Sequence, residues 1–369
     1  MNNSQFSRTV SAFAMAAYIV MFVIQSFVQW TIWPILMSGV AAVVIMLNFK
    51  QLKPATGLVA MVLTILAGYL FFFYYIPAIS LPTAATQTAG FISLLLSVPM
   101  LGITLYFRPY QEYLKIAAPR YVTSPYRFYT VASLFVTCLT MLINVAGISF
   151  SQQLLQDIAH RYSKRLFTHA MIRGTLPNIV WSPAFISLAI VVQYTGISWH
   201  TIAPMGLAVG GATLLLCLGV GWLAYGRRGS ENKANPDLER EVDHTLGFQL
   251  AMQMVFLIGL IIVLEFLTGK NALVVVPLVA FIAPGALAVL MGKTRVYKEK
   301  LGEYLSERLP GMFNEFILFT AIGLFGYALG QSEVRQLVQA AASHLIGVGT
   351  YFKIILITGI VAIPSIVGV

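Results

Sequence analysis

Charge is what this chain has least of. Only 10% of its 369 residues are Asp, Glu, Lys or Arg, against about 25% in soluble domains. No charged residue occurs from Thr9 to Phe49, from Pro54 to Phe107, or from Gly174 to Gly226. Windows of that length exceed a soluble core helix and suit membrane spans of about 20 residues. They are apolar all round rather than alternating, which excludes the β-barrel pattern. Cysteine is scarce too. Cys138 and Cys217 both lie in apolar runs and read as small buried hydrophobes, not as a disulfide or metal pair. There is no Walker motif, dinucleotide fingerprint or nucleophile elbow, and no histidine spacing that suits a metal. No small-residue cleavage site follows the first apolar stretch, so it reads as a span and not a removed signal.

What is present is 58% hydrophobic residues with a mean hydropathy of +0.82. The expected fold is all-α, a polytopic helical protein of the inner membrane. Spans are expected over Val10–Phe27, Trp30–Leu47, Thr56–Ile76, Ala89–Phe107, Asn178–Gly196, Thr201–Tyr225, Gly247–Leu267, Ala272–Met291 and Gly311–Leu329. The net charge of +10 sits between spans, which favours contact with anionic lipid over nucleic acid. Arg8, Lys50 and Lys53, the group from Arg108 to Arg127, the group from Arg227 to Arg240, and the group from Lys293 to Arg308 fall in alternate connections. The intervening connections hold only Lys270. The bias of Lys and Arg toward the inside therefore makes the N-terminus cytoplasmic.

One segment breaks this parity. Residues on both sides of Tyr126–Ser149 are basic, with Arg108, Lys115 and Arg120 before and Arg161, Lys164, Arg165 and Arg173 after. A segment that enters and returns as a re-entrant hairpin, about 126–170, restores the alternation, with its turn near Asn144-Val-Ala-Gly147. Non-helical backbone at membrane depth is tolerated where it lines a cavity or is buried in protein, so the tip is a candidate site.

The two halves also match in order while their sidedness is reversed. Each has three spans, an amphipathic stretch (108–122 and Gln331–Leu345) and a further apolar segment (Tyr126–Ser149 and Tyr351–Val369). The basic connector follows the first span of one half and the second span of the other. That is the pattern of inverted-topology repeats used for alternating access. The expected organisation is an N-terminal span 1–29, a first repeat 30–225, a cytoplasmic linker 226–246 and a second repeat 247–369 truncated in its hairpin.

In this order of elements the chain resembles the ion transporter superfamily, which includes the dicarboxylate/sodium symporter, citrate, gluconate and arsenite permease families. The resemblance implies solute and cation sites at each hairpin tip and in the unwound span after it. Dicarboxylate symporters carry Ser-Asn-Thr at these tips; here Asn144 and Ser365 match by type. The candidate ligands are Asn144, Gly147 and Ser149 at the first tip and Ser365 and Gly368 at the second. Thr175, Asn178 and Ser182 join them from Thr175-Leu-Pro-Asn-Ile-Val-Trp-Ser-Pro183. There Pro177 and Pro183 each remove a backbone donor and are expected to free carbonyls.

Other polar residues read as structural. Gln193, Gln249 and Gln253 suit bonds between helices, and Glu265 and Glu315 lie near span ends, where an interface would solvate them. The expected function is a secondary active transporter of a small, carboxylate-like anion coupled to Na⁺ or H⁺, with no enzymatic activity and no other cofactor. Its expected partners are the solute and membrane lipid, with a homodimer allowed and no nucleic acid. The rival is a membrane-embedded enzyme or an assembly factor for lipid or polymer export. It is disfavoured because no outer loop exceeds about a dozen residues on these spans.

Overall fold

The computed structural model of the chain describes residues 3–110, 112, 113, 122, 124–144, 146–226 and 244–333. The second amphipathic stretch from 334, the segment Tyr351–Val369 with Ser365 and Gly368, and most of the linker 226–246 lie outside them. Every regular element among the described residues is helical. In chain order they are α1 (Asn3–Phe27), α2 (Trp33–Asn48), α3 (Pro54–Phe73), α4 (Leu81–Ala85), α5 (Ala89–Leu101), α6 (Pro125–Ile143), α7 (Ala146–Ala159), α8 (Lys164–Thr175), α9 (Ile186–Thr195), α10 (Trp199–Tyr225), α11 (His244–Thr268), α12 (Ala272–Leu290), α13 (Thr294–Glu303) and α14 (Phe313–Gln331).

Nine helical stretches among the described residues are long and apolar enough to cross a membrane. Their outer faces carry large apolar side chains such as Phe72, Met205, Phe266 and Leu290, each at least 77% exposed. An apolar exterior of this extent fits lipid and not water. The chain is a helical membrane protein. The set of spans differs from the expected one at one place. Pro125–Ile143 is a continuous helix of spanning length, whereas 178–196 is not one helix but a short 3₁₀ turn, a non-helical stretch and α9. Cys138 is exposed and Cys217 half-exposed, so neither is the buried residue expected; both are free thiols.

The chain forms two compact units. One contains Val28–Ile92, the chain up to Met21 and the described residues from Leu309. In it α3 packs along α14, with Ala67, Leu70 and Ala328 buried between them and the Phe71 and Tyr327 rings stacked 6.3 Å apart. The short α4 also packs on α14, and the hydroxyl of Thr88, just after α4, donates to the Phe319 carbonyl at 2.6 Å.

The other unit contains Phe22–Phe27 and Ser93–Arg308. Here α12 packs on α11 and on the 3₁₀ turn Gly102–Tyr106 that continues α5. The connector helix α13 packs on that same turn, with Lys300 Nζ over the Tyr106 ring at 4.8 Å. After α13, the Tyr304 hydroxyl donates to the Leu96 carbonyl of α5. Within this unit α10 lies against the 3₁₀ turn after α8. A Cβ at Gly206 would meet Val180 O at 2.6 Å, and one at Gly210 would meet Pro177 O at 2.7 Å. Those glycines serve close helix packing, whereas Gly211 and Gly219 of the same helix have nothing within 4 Å.

Candidate functional site

The candidate site is built on a helical hairpin. Pro125 opens α6 at a position where its missing N–H costs nothing, and Ser124 caps the helix by accepting from the Arg127 N–H at 3.2 Å. After 19 residues the helix ends at Asn144, whose φ of +52° turns the chain. Asn is among the few side chains that tolerate positive φ. The Gly147 N–H closes the turn on the Asn144 carbonyl at 2.9 Å. A Cβ at Gly147 would meet the Thr140 N at 2.8 Å, so only glycine lets the returning helix start this close to α6. The 14 residues of α7 then run back. At the base of the hairpin the ring of Phe128 stacks on Tyr162 with centroids 4.5 Å apart. The chain therefore leaves and returns at one end.

The next segment runs beside α6 in the same direction. Ser163 caps α8 by accepting from the Leu166 N–H at 3.3 Å. The helix tightens into a 3₁₀ turn over Leu176–Val180, loses helical form at 181–185 and resumes as α9. Pro177 and Pro183 account for the interruption, since each lacks a donor and crowds the preceding turn. The break does not leave its carbonyls open as expected from the sequence. Ile179 O accepts from Ser187 Oγ at 2.6 Å, and Trp181 O from Trp199 Nε1 at 2.8 Å. Ser182 O accepts from the Phe185 N–H at 3.1 Å, and Ala184 O from Asn144 Nδ2 at 2.9 Å. The reason is that bare carbonyls without water are costly, and donors distant in sequence reach them.

A ladder of polar bonds joins the two segments. Ser133 Oγ donates to Ala170 O at 3.4 Å and Thr137 Oγ1 to Gly174 O at 2.7 Å. Asn178 Nδ2 donates to Thr137 O at 2.6 Å and to Thr140 Oγ1 at 2.8 Å. Ser182 Oγ donates to Met141 O at 2.6 Å. With the Asn144–Ala184 bond the ladder reaches the hairpin turn. Partner separations stay between 37 and 41 residues, which is what two parallel segments produce.

Of the expected ligands, the structure brings together Asn144, Asn178 and Ser182, all buried, where the turn meets the break. Their donors hold the hairpin to the broken segment. Asn178 is fully buried, and its Oδ1 has no hydrogen-bond partner. Thr175 is buried and donates within its own helix to Met171 O at 3.0 Å. Gly147 is in the turn, and Ser149 is exposed.

Two features escaped the sequence reading. The first is a small cleft, partly open to the outside, beside the hairpin turn. Ile143, Ala146 and Phe150 line one wall; Lys300, Glu303 and Arg308 bring charge to the other. Lys300 pairs with Glu303 at 2.7 Å, and that hydrogen bond holds its ammonium above the usual lysine range. The connector 293–308 reads in sequence as an ordinary basic loop, and nothing there signals its approach to residues 143–150. The second is Glu265, expected at an interface but only 6% exposed, with neither carboxyl oxygen hydrogen-bonded.

Among the described residues no group of His, Cys, Asp and Glu could hold a metal ion. No protein-family model, no curated protein and no solved structure matches the chain.

Proposed function

We propose that this chain is a secondary active transporter, of the ion transporter superfamily type, that moves a small carboxylate-like anion with Na⁺ or H⁺ by alternating access. The observation that carries the reading is the meeting of two helix interruptions, the Asn144 turn and the break at 181–185, inside an apolar helical protein. Irregular backbone at such depth is characteristic of solute and ion sites in transporters. In this reading α6 and α7 form a re-entrant hairpin based on the cytoplasmic side, as the basic residues at both of its ends favour.

The packing supports inverted repeats. The second span of each half packs on the third element of the other: α3 on α14, and α12 on the turn that continues α5. The connector helices repeat the exchange, α4 on α14 and α13 on Gly102–Tyr106. A hydroxyl follows each connector helix and donates to a carbonyl of the opposite third span, Thr88 to Phe319 and Tyr304 to Leu96. An internal two-fold relation produces such reciprocal pairs, and two unrelated halves have no reason to. The cationic cleft beside the turn supports an anionic solute, since Lys300 and Arg308 together outweigh Glu303.

The test is uptake by the full chain in proteoliposomes. A panel of labelled mono-, di- and tricarboxylates is offered under an imposed proton or sodium gradient. Concentrative uptake of at least one acid, abolished by collapsing the gradient, is expected. Uptake indistinguishable from empty vesicles for the whole panel under both gradients would overturn the reading.

A further inference from the structure

Glu265 lies near the end of α11, is the one Asp, Glu, Lys or Arg of that helix, and is only 6% exposed. Trp199, the first residue of the 27-residue helix α10, lies beside its carboxyl group, neither oxygen of which has a hydrogen-bond partner. The titratable group acting on it is the exposed His200, whose Nε2 lies 3.0 Å from Ser198 Oγ. α12 contains no Asp, Glu, Lys or Arg, and α6 meets α11 through Leu139, Leu142 and Ile143 around Met254 and Leu257. Lys270, just beyond α11, lies over the Phe27 ring at 5.8 Å.

A carboxylate without a partner in such a place costs several kcal/mol, which favours taking up a proton. The N-terminus of a long helix carries partial positive charge and favours the anion. These opposed effects allow both forms. The second role of Trp199 gives the charge a route to the candidate site: its Nε1 donates to the carbonyl of Trp181, in the break between Asn178 and Ser182. An ionised Glu265 attracts the positive end of α10 at Trp199 and a neutral one does not, so one residue conveys the difference to the broken segment. We propose that Glu265 is a proton-binding site whose charge state is passed through Trp199 to the break, which makes the coupling ion a proton. Only a proton is exchanged, between the carboxylate and water on one side or the other. The coupling role rests on the transporter reading; the protonation does not.

The experiment uses dicyclohexylcarbodiimide, which adds to protonated carboxylic acids in apolar surroundings, on the full chain in liposomes. The adduct is mapped by peptide mass spectrometry across pH, and tryptophan emission is followed in parallel. Labelling of Glu265 on the acidic side that falls to background on the alkaline side is expected. An emission change should follow the same titration and be lost in Glu265→Gln and Trp199→Phe. Absence of labelling at every pH, or labelling independent of pH, overturns the proton site. This holds on the unaltered chain even if the variants fail to fold, and Glu265→Asp restores a titrating carboxyl if glutamine alone disrupts folding. Labelling that titrates while emission stays unchanged overturns the route through Trp199. A chain that takes up no solute still gives the labelling result, so failure of the transporter reading is seen separately.

Discussion

The side-chain amide of Asn178 donates to the Thr137 carbonyl at 2.6 Å, binding the broken segment to the outgoing arm of the hairpin. The same nitrogen reaches Thr140 Oγ1. Asn178 is thus a strut, and its Oδ1 is left without a hydrogen-bond partner.

Asn178→Ala removes both bonds and Ser182→Ala removes the bond to Met141 O. Each loss leaves a buried group unpaired and costs about 1–3 kcal/mol. The expected outcome is normal membrane insertion, a lower unfolding temperature in detergent and abolished gradient-driven uptake. Wild-type uptake by both variants would reduce the break to a proline kink.

Glycine contacts give a second set. A Cβ at Gly147 would press on the Thr140 backbone, and one at Gly174 would meet Ser133 O at 2.5 Å. Gly147→Ala and Gly174→Ala should each destabilise by about 1–3 kcal/mol, as overpacking does. Gly211→Ala, with open space around it, should be neutral or stabilising by up to about 1 kcal/mol through helix propensity. Thermal unfolding of the three variants checks the order.

Topology is testable by single-cysteine labelling. Positions 115, 164, 228 and 298 are all expected to face the cytoplasm. The background must lack Cys138 and Cys217, and the exposure of Cys138 makes that necessary. Labelling of position 164 from outside would remove the re-entrant hairpin and the inverted repeat with it.

The cleft predicts a split in kinetic constants. Arg308→Gln and Lys300→Gln each remove a charged contact to an anion, typically about 1.5–3 kcal/mol, so KM should rise roughly tenfold or more while kcat changes less. Equal loss in kcat with KM unchanged would place these residues outside solute binding.

Much of this fold could be read from hydropathy. The positions of most spans follow from windows without charge, and Pro125 after Ser124 announces the start of α6. The turn between α6 and α7 was legible too, because Asn144 and Gly147 sit there between apolar flanks. Residues distant in sequence were not legible. That Trp199 and Asn144 cap the carbonyls of the break depends on how α10 and the turn pack, 18 and 40 residues away respectively. Glu265 was misjudged for the same reason: its place near a helix end suggests water, and only the start of α10 beside it reveals burial. Cys138 was misjudged because an apolar run does not say which of its faces points outward.

The even register of the ladder between α6 and the broken segment has a mechanical meaning. Where both segments are helical its donors and acceptors are spaced by about one turn, so a slide of a fraction of a turn would lose those bonds together. Relative motion of the two segments is therefore a detent with stops about 5.4 Å apart, one helical pitch. Short of such a jump the hairpin and the segment beside it travel as a single strut, and whatever shifts one carries the other.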